Sequence, residues 1–288
     1  MKKSSNPENW ILPLITLRAS SAEATVYHFR ELYKRCRIFH YAFLRQCKRF
    51  ERGQKLAKRG KNKTLGTFQF RNTQFVAIDI NGTLIEGYRY TSWEDVLEKG
   101  LGLTRKENSN PRLSWSRALI GLISFEEMVA EAYDVCGVED IRAEAYAVYM
   151  GELRLRDGCI DLLESLRRKY DLAVCSDTSG ITKTIAKKFG LERYFSKLFY
   201  SCDMGCVKND RRFWEVFLSN FTNVKPEKFV MIGDNPQADV HWPKTLGMGT
   251  ILIESTELPQ GRGIPQDELD EPHAYVGMLE GVSKILLE

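Results

Sequence analysis

A chain of 288 residues can bury a sizeable core as one medium domain with an insert or as two small domains, and 43% hydrophobic with 28% charged residues is ordinary globular usage. That composition argues against disorder, and no uninterrupted apolar stretch reaches the roughly 18 residues a membrane-spanning helix needs. The net charge of +4 hides an asymmetry, because residues 1–71 hold 17 Lys/Arg against 4 Asp/Glu, a local +13 that leaves −9 for the rest.

The first 22 residues only superficially resemble a signal peptide. Lys2 and Lys3 precede a short apolar run, but Pro7 and Glu8 interrupt the first part, Pro13 breaks the run, and a basic segment follows. Ser20 and Glu23 then form a capping-box pattern. From 22 to 52 apolar residues recur at helical spacing (Val26, Phe29, Leu32, Tyr33, Cys36, Phe39, Phe43, Leu44, Cys47, Phe50), interleaved with Arg and Lys. A long basic amphipathic helix is expected. Its mixture suits nucleic acid, an anionic membrane or a protein partner, or simply a helix packed on the core with a basic outer face. Residues 53–66 (GQKLAKRGKNKTLG) read as a linker.

Short apolar runs rich in β-formers follow at 75–80 (FVAIDI), 172–175 (LAVC), 229–232 (FVMI) and 250–253 (TILI), with a weaker one at 197–200. Helical patterns at 159–170, 181–189 and 212–221 separate them. Strands alternating with helices imply a parallel sheet covered on both faces, an α/β fold. Between 90 and 155 no strand is expected, only helical patterns at 92–99, 115–122, 125–135 and 141–153. An all-helical insert after the first strand is the economical interpretation. The divisions are 1–72 for the basic extension and linker, 73–89 with 156–288 for the α/β core, and 90–155 for the insert.

Seven cysteines (Cys36, Cys47, Cys136, Cys159, Cys175, Cys202, Cys206) are odd in number and contain no C-x-x-C pair, which favours reduced thiols in a cytoplasm. Cys202 and Cys206 would need a second ligand pair to hold zinc.

Ligands of open parallel sheets bind at the carboxyl ends of strands. Those ends carry Asp79-Ile80-Asn81-Gly82-Thr83-Leu84, Ser176-Asp177-Thr178, Lys208, and Gly233-Asp234-Asn235-Pro236-Gln237-Ala238-Asp239. Each alone has a plain reading: Asn81-Gly82 as a hairpin turn, Ser176-Asp177 as a helix N-cap, Lys208 as a surface lysine, Gly233-Asp234 as a turn. Together at successive strand ends they would build one phosphate site. A carboxylate can attack phosphorus, magnesium held by carboxylates neutralises charge, and a hydroxyl, a lysine and helix-start amides hold the remaining oxygens.

These four segments, in this order, resemble the motifs of the haloacid dehalogenase superfamily over residues 74–253. The resemblance implies a Rossmann-like core with a helical cap of the C1 type (subfamily I) and Mg2+ as cofactor. It implies that Asp79 is nucleophile and metal ligand, that Asn81 offers its backbone carbonyl to the metal, and that Asp234 is the third ligand. Asp239 would orient that ligand or its waters, Ser176, Asp177 and Lys208 would line the phosphate site, and Thr83 would buttress the first loop.

Asn81 departs from the pattern. Family phosphatases usually carry there a second aspartate that protonates the leaving oxygen and then activates water, work worth roughly 10² to 10⁴ in rate that Asn cannot do. Three readings follow: a substrate with a good leaving group, a proton supplied by a neighbour such as Asp177, or a weakened phosphatase core used as a phosphate-binding module with a basic arm. Metal-independent dehalogenation is disfavoured: family dehalogenases usually have an aromatic residue at the Asn81 position and lack the metal-binding Gly-Asp, so Asp234 and Asp239 speak for magnesium. In the insert, Arg105, Lys106, Arg112, Trp115 and Arg117 are candidates to line the substrate mouth or, more simply, belong to a solvated cap surface.

Overall fold

The computed structural model describes residues 63–64, 68–87, 92–135, 137–181, 183–255, 265 and 267–288. The basic helix expected over 22–52, with its candidate partners, lies outside them, as do Cys36, Cys47 and Cys136. Among the described residues nine strands occur in chain order: β1 (Lys63–Thr64), β2 (Phe75–Ile78), β3 (Ile85–Glu86), β4 (Arg154–Leu155), β5 (Asp171–Ser176), β6 (Lys197–Tyr200), β7 (Phe229–Gly233), β8 (Gly249–Ile253) and β9 (Ala274–Val276). Seven form one sheet in the order β1-β9-β8-β7-β2-β5-β6, parallel except for β1 at its edge.

Apolar side chains on both faces explain why β2 is central. Val76 and Ile78 join one buried cluster with Val174, Ile232 and Ile251, whereas Ala77 joins another with Phe213, Trp214 and Phe217. A strand buried on both sides reads as a continuous apolar run, as these do. The first cluster is closed by Leu162, Leu163 and Leu166 of the helix Cys159–Leu166 and by Val282 and Leu286 of Leu279–Leu286. The aromatic row of Arg211–Ser219 covers the opposite face.

From β2 the chain reaches β5 and β6 on one side, then returns to place β7, β8 and β9 on the other. Such a reversal opens a crevice at the carboxyl ends of the central strands. Ile78 is paired with Val174 and with Ile232, so the residues just beyond these strands converge.

Residues 92–150 form the helical insert: Trp93–Asp95 continuing into a π-helical turn Val96–Gly100, then Pro111–Leu119, Phe125–Ala132 and Val138–Met150. Its own core holds Trp93, Val96, Leu97, Phe125, Met128, Val129 and Ala145, with the Trp93 and Tyr149 rings stacked at 4.6 Å. Capping follows the local sequence. Ser124 and Glu127 make a reciprocal capping box, and Asn110 accepts from the Leu113 amide ahead of Pro111.

Three details differ from the sequence reading. Lys63–Thr64, within the expected linker, pairs with β9. Arg154–Leu155, at the end of the segment expected to lack strands, pairs antiparallel with Ile85–Glu86 to make a two-stranded ribbon at the root of the insert. The short β9 had no recognisable apolar run, being only three residues long.

Candidate active site

Asp79 stands one residue beyond β2, its amide donating to the Ile232 carbonyl at 2.9 Å, so the backbone leaves the sheet still tied to β7. The following turn is tight: the Ile80 carbonyl accepts from the amides of Leu84 and Ile85 at 2.9 and 3.0 Å. Gly82 adopts φ +79°, and a Cβ there would overlap the Asp234 carboxylate, so both conformation and space require glycine. Gly233 likewise has no room for a Cβ beside Asp239.

Lys208 is the hub. Only 2% exposed, it places Nζ 3.1 Å from Asp79 Oδ2 and 2.6 Å from Asp239 Oδ1. Its amide donates to Asp177 Oδ1 at 2.8 Å and its carbonyl accepts from Trp214 Nε1 at 2.8 Å, so core packing positions the ammonium. Burial works against that charge, but Asp239, Asp79 and Asp177 outweigh it and hold the ammonium above the ordinary lysine range.

Asp79, Asp234 and Asp239 are all buried, with one carboxylate oxygen of each within 4.8 Å of the others. Burial, followed by the charges of Asp79 and Asp239, pushes the Asp234 carboxyl well above the usual carboxylate range. Burial raises Asp239 too, against relief from Lys208. Asp177 is also raised, by burial first. One lysine does not neutralise so many buried carboxylates, and unpaired buried charge is costly.

Four buried side-chain polar atoms have no hydrogen-bond partner among the described residues, and two of them belong to the strand-end segments: Ser176 Oγ, at the end of β5, and Asp234 Oδ2. The Asp234 carboxylate is otherwise held by a long 3.5 Å bond from Thr83 Oγ1 and by the Ser255 hydroxyl. Asp239 Oδ2 accepts from the Asn235 amide at 2.9 Å, which fixes the turn after β7. Clustered acidic oxygens with an unpartnered lone pair fit a hard divalent cation, and an unpartnered buried hydroxyl at a strand end fits an anion.

The strand-end residues expected to act together are thus adjacent. Asn81 lies on the same turn, half-buried and bridged to Ile85. The insert residues named as candidates for a substrate mouth have partners within the insert. Arg105 pairs with Glu94 and Glu98, Arg112 with Glu94 at 3.4 Å, and Arg117 with Glu131 at 2.6 Å. Lys106 Nζ donates to the Ala130 carbonyl, and Trp115 packs against the Trp93 cluster. Cys202 and Cys206 are free thiols and join no metal-competent group among the described residues. A second such group, His241, Asp267 and Asp270, is internally satisfied: Asp270 meets His241 Nδ1 at 2.9 Å and Gln237 Nε2 at 3.1 Å.

Sequence reasoning missed Ser201, Ser255 and Arg156. Ser201 follows directly on β6, so strand-end logic would have found it. Its Oγ accepts from the Thr178 amide at 2.8 Å and donates to the Leu119 carbonyl of the insert at 2.7 Å. Ile181 enters the insert core, and Gly121 lies so close to the Cys202 carbonyl that a Cβ would overlap it. The insert therefore closes on the loops after β5 and β6. Arg156 carried no local signal to separate it from its neighbour Arg154.

A family model for haloacid dehalogenase-like hydrolases matches residues 73–241, more than half of the chain. The chain belongs to the haloacid dehalogenase-like hydrolases. Among its relatives, the pyrimidine 5'-nucleotidase PynA of Streptococcus pneumoniae is 30% identical over 151 residues, 51% of this chain and 62% of PynA. A phosphoserine phosphatase of Thermus thermophilus is 33% identical over 125 residues, 42% of this chain and 46% of that enzyme. The hydrolase thus spans about half the length of these relatives.

Solved structures agree on the fold. The putative HAD-hydrolase YfnB of Bacillus subtilis, bound to magnesium, superposes with a TM-score of 0.51 at 18% identity, covering 74% of this chain and 98% of YfnB. A HAD family enzyme of Bacteroides thetaiotaomicron in complex with magnesium and inorganic phosphate gives 0.50 at 21% identity, over 65% and 98% of the two chains. The Rossmann-like core with an inserted helical cap is the architecture of this hydrolase. Among the described residues no helix is long and apolar enough to cross a membrane.

Proposed function

We propose that this hydrolase is a magnesium-dependent phosphatase of small phosphomonoesters, working through an aspartyl-phosphate at Asp79. The observation that carries the reading is the buried cluster of Asp79, Asp234 and Asp239, two of them paired with Lys208, together with unpartnered Ser176 Oγ and Asp234 Oδ2. The phosphatase names of two relatives support the reaction class. Free Cys159, Cys175, Cys202 and Cys206 support a reducing, cytoplasmic setting.

Asp79, the Asn81 carbonyl and Asp234 would hold Mg2+, with Asp239 orienting that set. When bound, the ion neutralises phosphate charge and brings the buried carboxylates back to their ionised forms. Ser176 Oγ and Lys208 Nζ hold phosphate oxygens, and Lys208 relieves the repulsion between Asp79 and an incoming anion. A carboxylate oxygen of Asp79 attacks phosphorus; the bond to the leaving oxygen breaks and that oxygen takes a proton. Asn81 cannot give one. Asp177, whose carboxyl is raised by burial and lies in the field of Asp79, is the neighbour suited to do so. Water then cleaves the acyl phosphate, freeing Asp79 and inorganic phosphate.

Asn81 favours a second reading, a phosphate-binding module with little turnover. One experiment separates the two: phosphate release by the full chain from nucleoside monophosphates, phosphoserine and an aryl phosphate, with Mg2+ or with a chelator. The proposal expects release that needs Mg2+ and that Asp79→Asn lowers by several orders of magnitude. Release indifferent to Asp79 would sink it, and Mg2+-dependent phosphate binding without turnover would favour the binding module.

A further inference from the structure

Arg156 is a guanidinium only 8% exposed, at the point where the chain returns from the cap to the core. Its amide donates to the Leu84 carbonyl at 2.9 Å. Nη1 donates to the Gly82 carbonyl at 3.1 Å and Nη2 to the Glu254 carbonyl at 2.7 Å, while Nε lies 3.7 Å from Glu86 Oε2. The charge is therefore spent mainly on two backbone carbonyls. Burying an arginine in this way is a poor route to stability, since an apolar residue of similar volume avoids the desolvation penalty.

The two carbonyls explain what the fork does. Gly82 immediately precedes Thr83, and Glu254 immediately precedes Ser255, the two hydroxyls that bind the Asp234 carboxylate. Gly82 also packs directly against that carboxylate. Arg156 thus sets the spacing between the turn after β2 and the end of β8, with Asp234 held between them. A planar guanidinium fixes two carbonyls at once, whereas a lysine ammonium lacks that fork.

We infer that Arg156 is a positioning residue, which acts through the Gly82-Thr83 and Glu254-Ser255 backbone to hold Asp234 in the geometry that binds the divalent cation. The inference rests on the magnesium reading above. Partners that orient metal ligands are typically worth about 10- to 100-fold in metal affinity.

The test is calorimetric Mg2+ binding to the full chain without substrate, for wild type, Arg156→Lys, Ser255→Ala, the double variant, and Asp234→Asn as reference. Arg156→Lys keeps the charge and loses the fork; it is expected to weaken Mg2+ about 10- to 100-fold. Ser255→Ala weakens it less, and the double variant less than the product of the singles, because both act on one carboxylate. Mg2+ affinity within twofold of wild type in Arg156→Lys and Ser255→Ala, with Asp234→Asn strongly impaired, overturns the inference and leaves the metal site standing. An unimpaired Asp234→Asn removes the magnesium reading beneath it. Should Arg156→Lys not fold, Ser255→Ala decides alone: weakened binding supports the coupling of Ser255 to the cation, and unchanged binding overturns it.

Discussion

Asn81 and Asp79 share a turn whose shape is set by backbone bonds rather than by the Asn81 side chain: the Ile80 carbonyl collects the amides of Leu84 and Ile85, and the Gly82 amide donates to Ile85 at 2.9 Å. Asparagine and aspartate have the same shape, so Asn81→Asp alters proton chemistry and charge without forcing the turn to move. If the missing proton donor limits turnover, Asn81→Asp raises kcat on a generic phosphomonoester by up to about 10² to 10⁴ with a small change in KM. Steady-state kinetics with a circular dichroism check on folding measure this; an unchanged or lower rate in a folded variant would assign the proton to another group. Neither Gly82 nor Gly233 tolerates a side chain, because a carboxylate occupies the space each leaves.

At the scale of elements, the β8–β9 pair supports the site from behind, since Ser255 lies just past β8. His273, immediately before β9, is locked in its neutral form: Nδ1 accepts from the Thr250 amide at 3.2 Å, and the His273 amide donates to Thr250 Oγ1 at 3.1 Å. Burial, with the Lys244 charge, pushes its pKa from 6.5 down to about 4. A depressed histidine means that below pH 6.5 the unfolded chain binds a proton the native state refuses, so this contribution to stability falls between pH 6.5 and about 4 and levels off beneath. Thermal unfolding across that range should show a steeper loss for wild type than for His273→Asn, whose carbonyl can still accept from Thr250. Parallel curves would place the acid sensitivity elsewhere.

Across the whole molecule, the cap is tied to the core through the loops after β5 and β6. Ser201 joins the two, receiving the Thr178 amide and reaching the Leu119 carbonyl of the cap. Tyr146 of the cap adds a bond from Thr184 at 3.3 Å, and Ile181 inserts among the cap aromatics and aliphatics. Removing the hydroxyl withdraws one partner from each side of a buried junction, at about 1–2 kcal/mol, or roughly 5- to 30-fold. Ser201→Ala should therefore lower kcat/KM by that factor, chiefly through KM, because cap closure contributes to substrate binding before chemistry. Unchanged kinetics with a lowered Tm would make the contact purely structural.

The motif residues other than Lys208 were legible because each stands at or just after a short apolar run, and residues leaving parallel strands share one edge of the sheet. Asp79, Ser176 and Asp234 needed only that local pattern, and their order along the chain was enough to indicate a family. The cap helices were legible through their periodicity. Arg156 was not, because its partners lie 74 and 98 residues away and no local pattern separates a buried arginine from an exposed one. Nor could spacing show that the cap arginines spend their charge on cap glutamates, or that Lys208 bridges Asp79 and Asp239. The sequence by itself determined which chemical groups are present and at which end of the sheet they gather. Only the tertiary structure decided which of them touch, because contacts across such separations depend on the packing of whole elements rather than on neighbours in the chain.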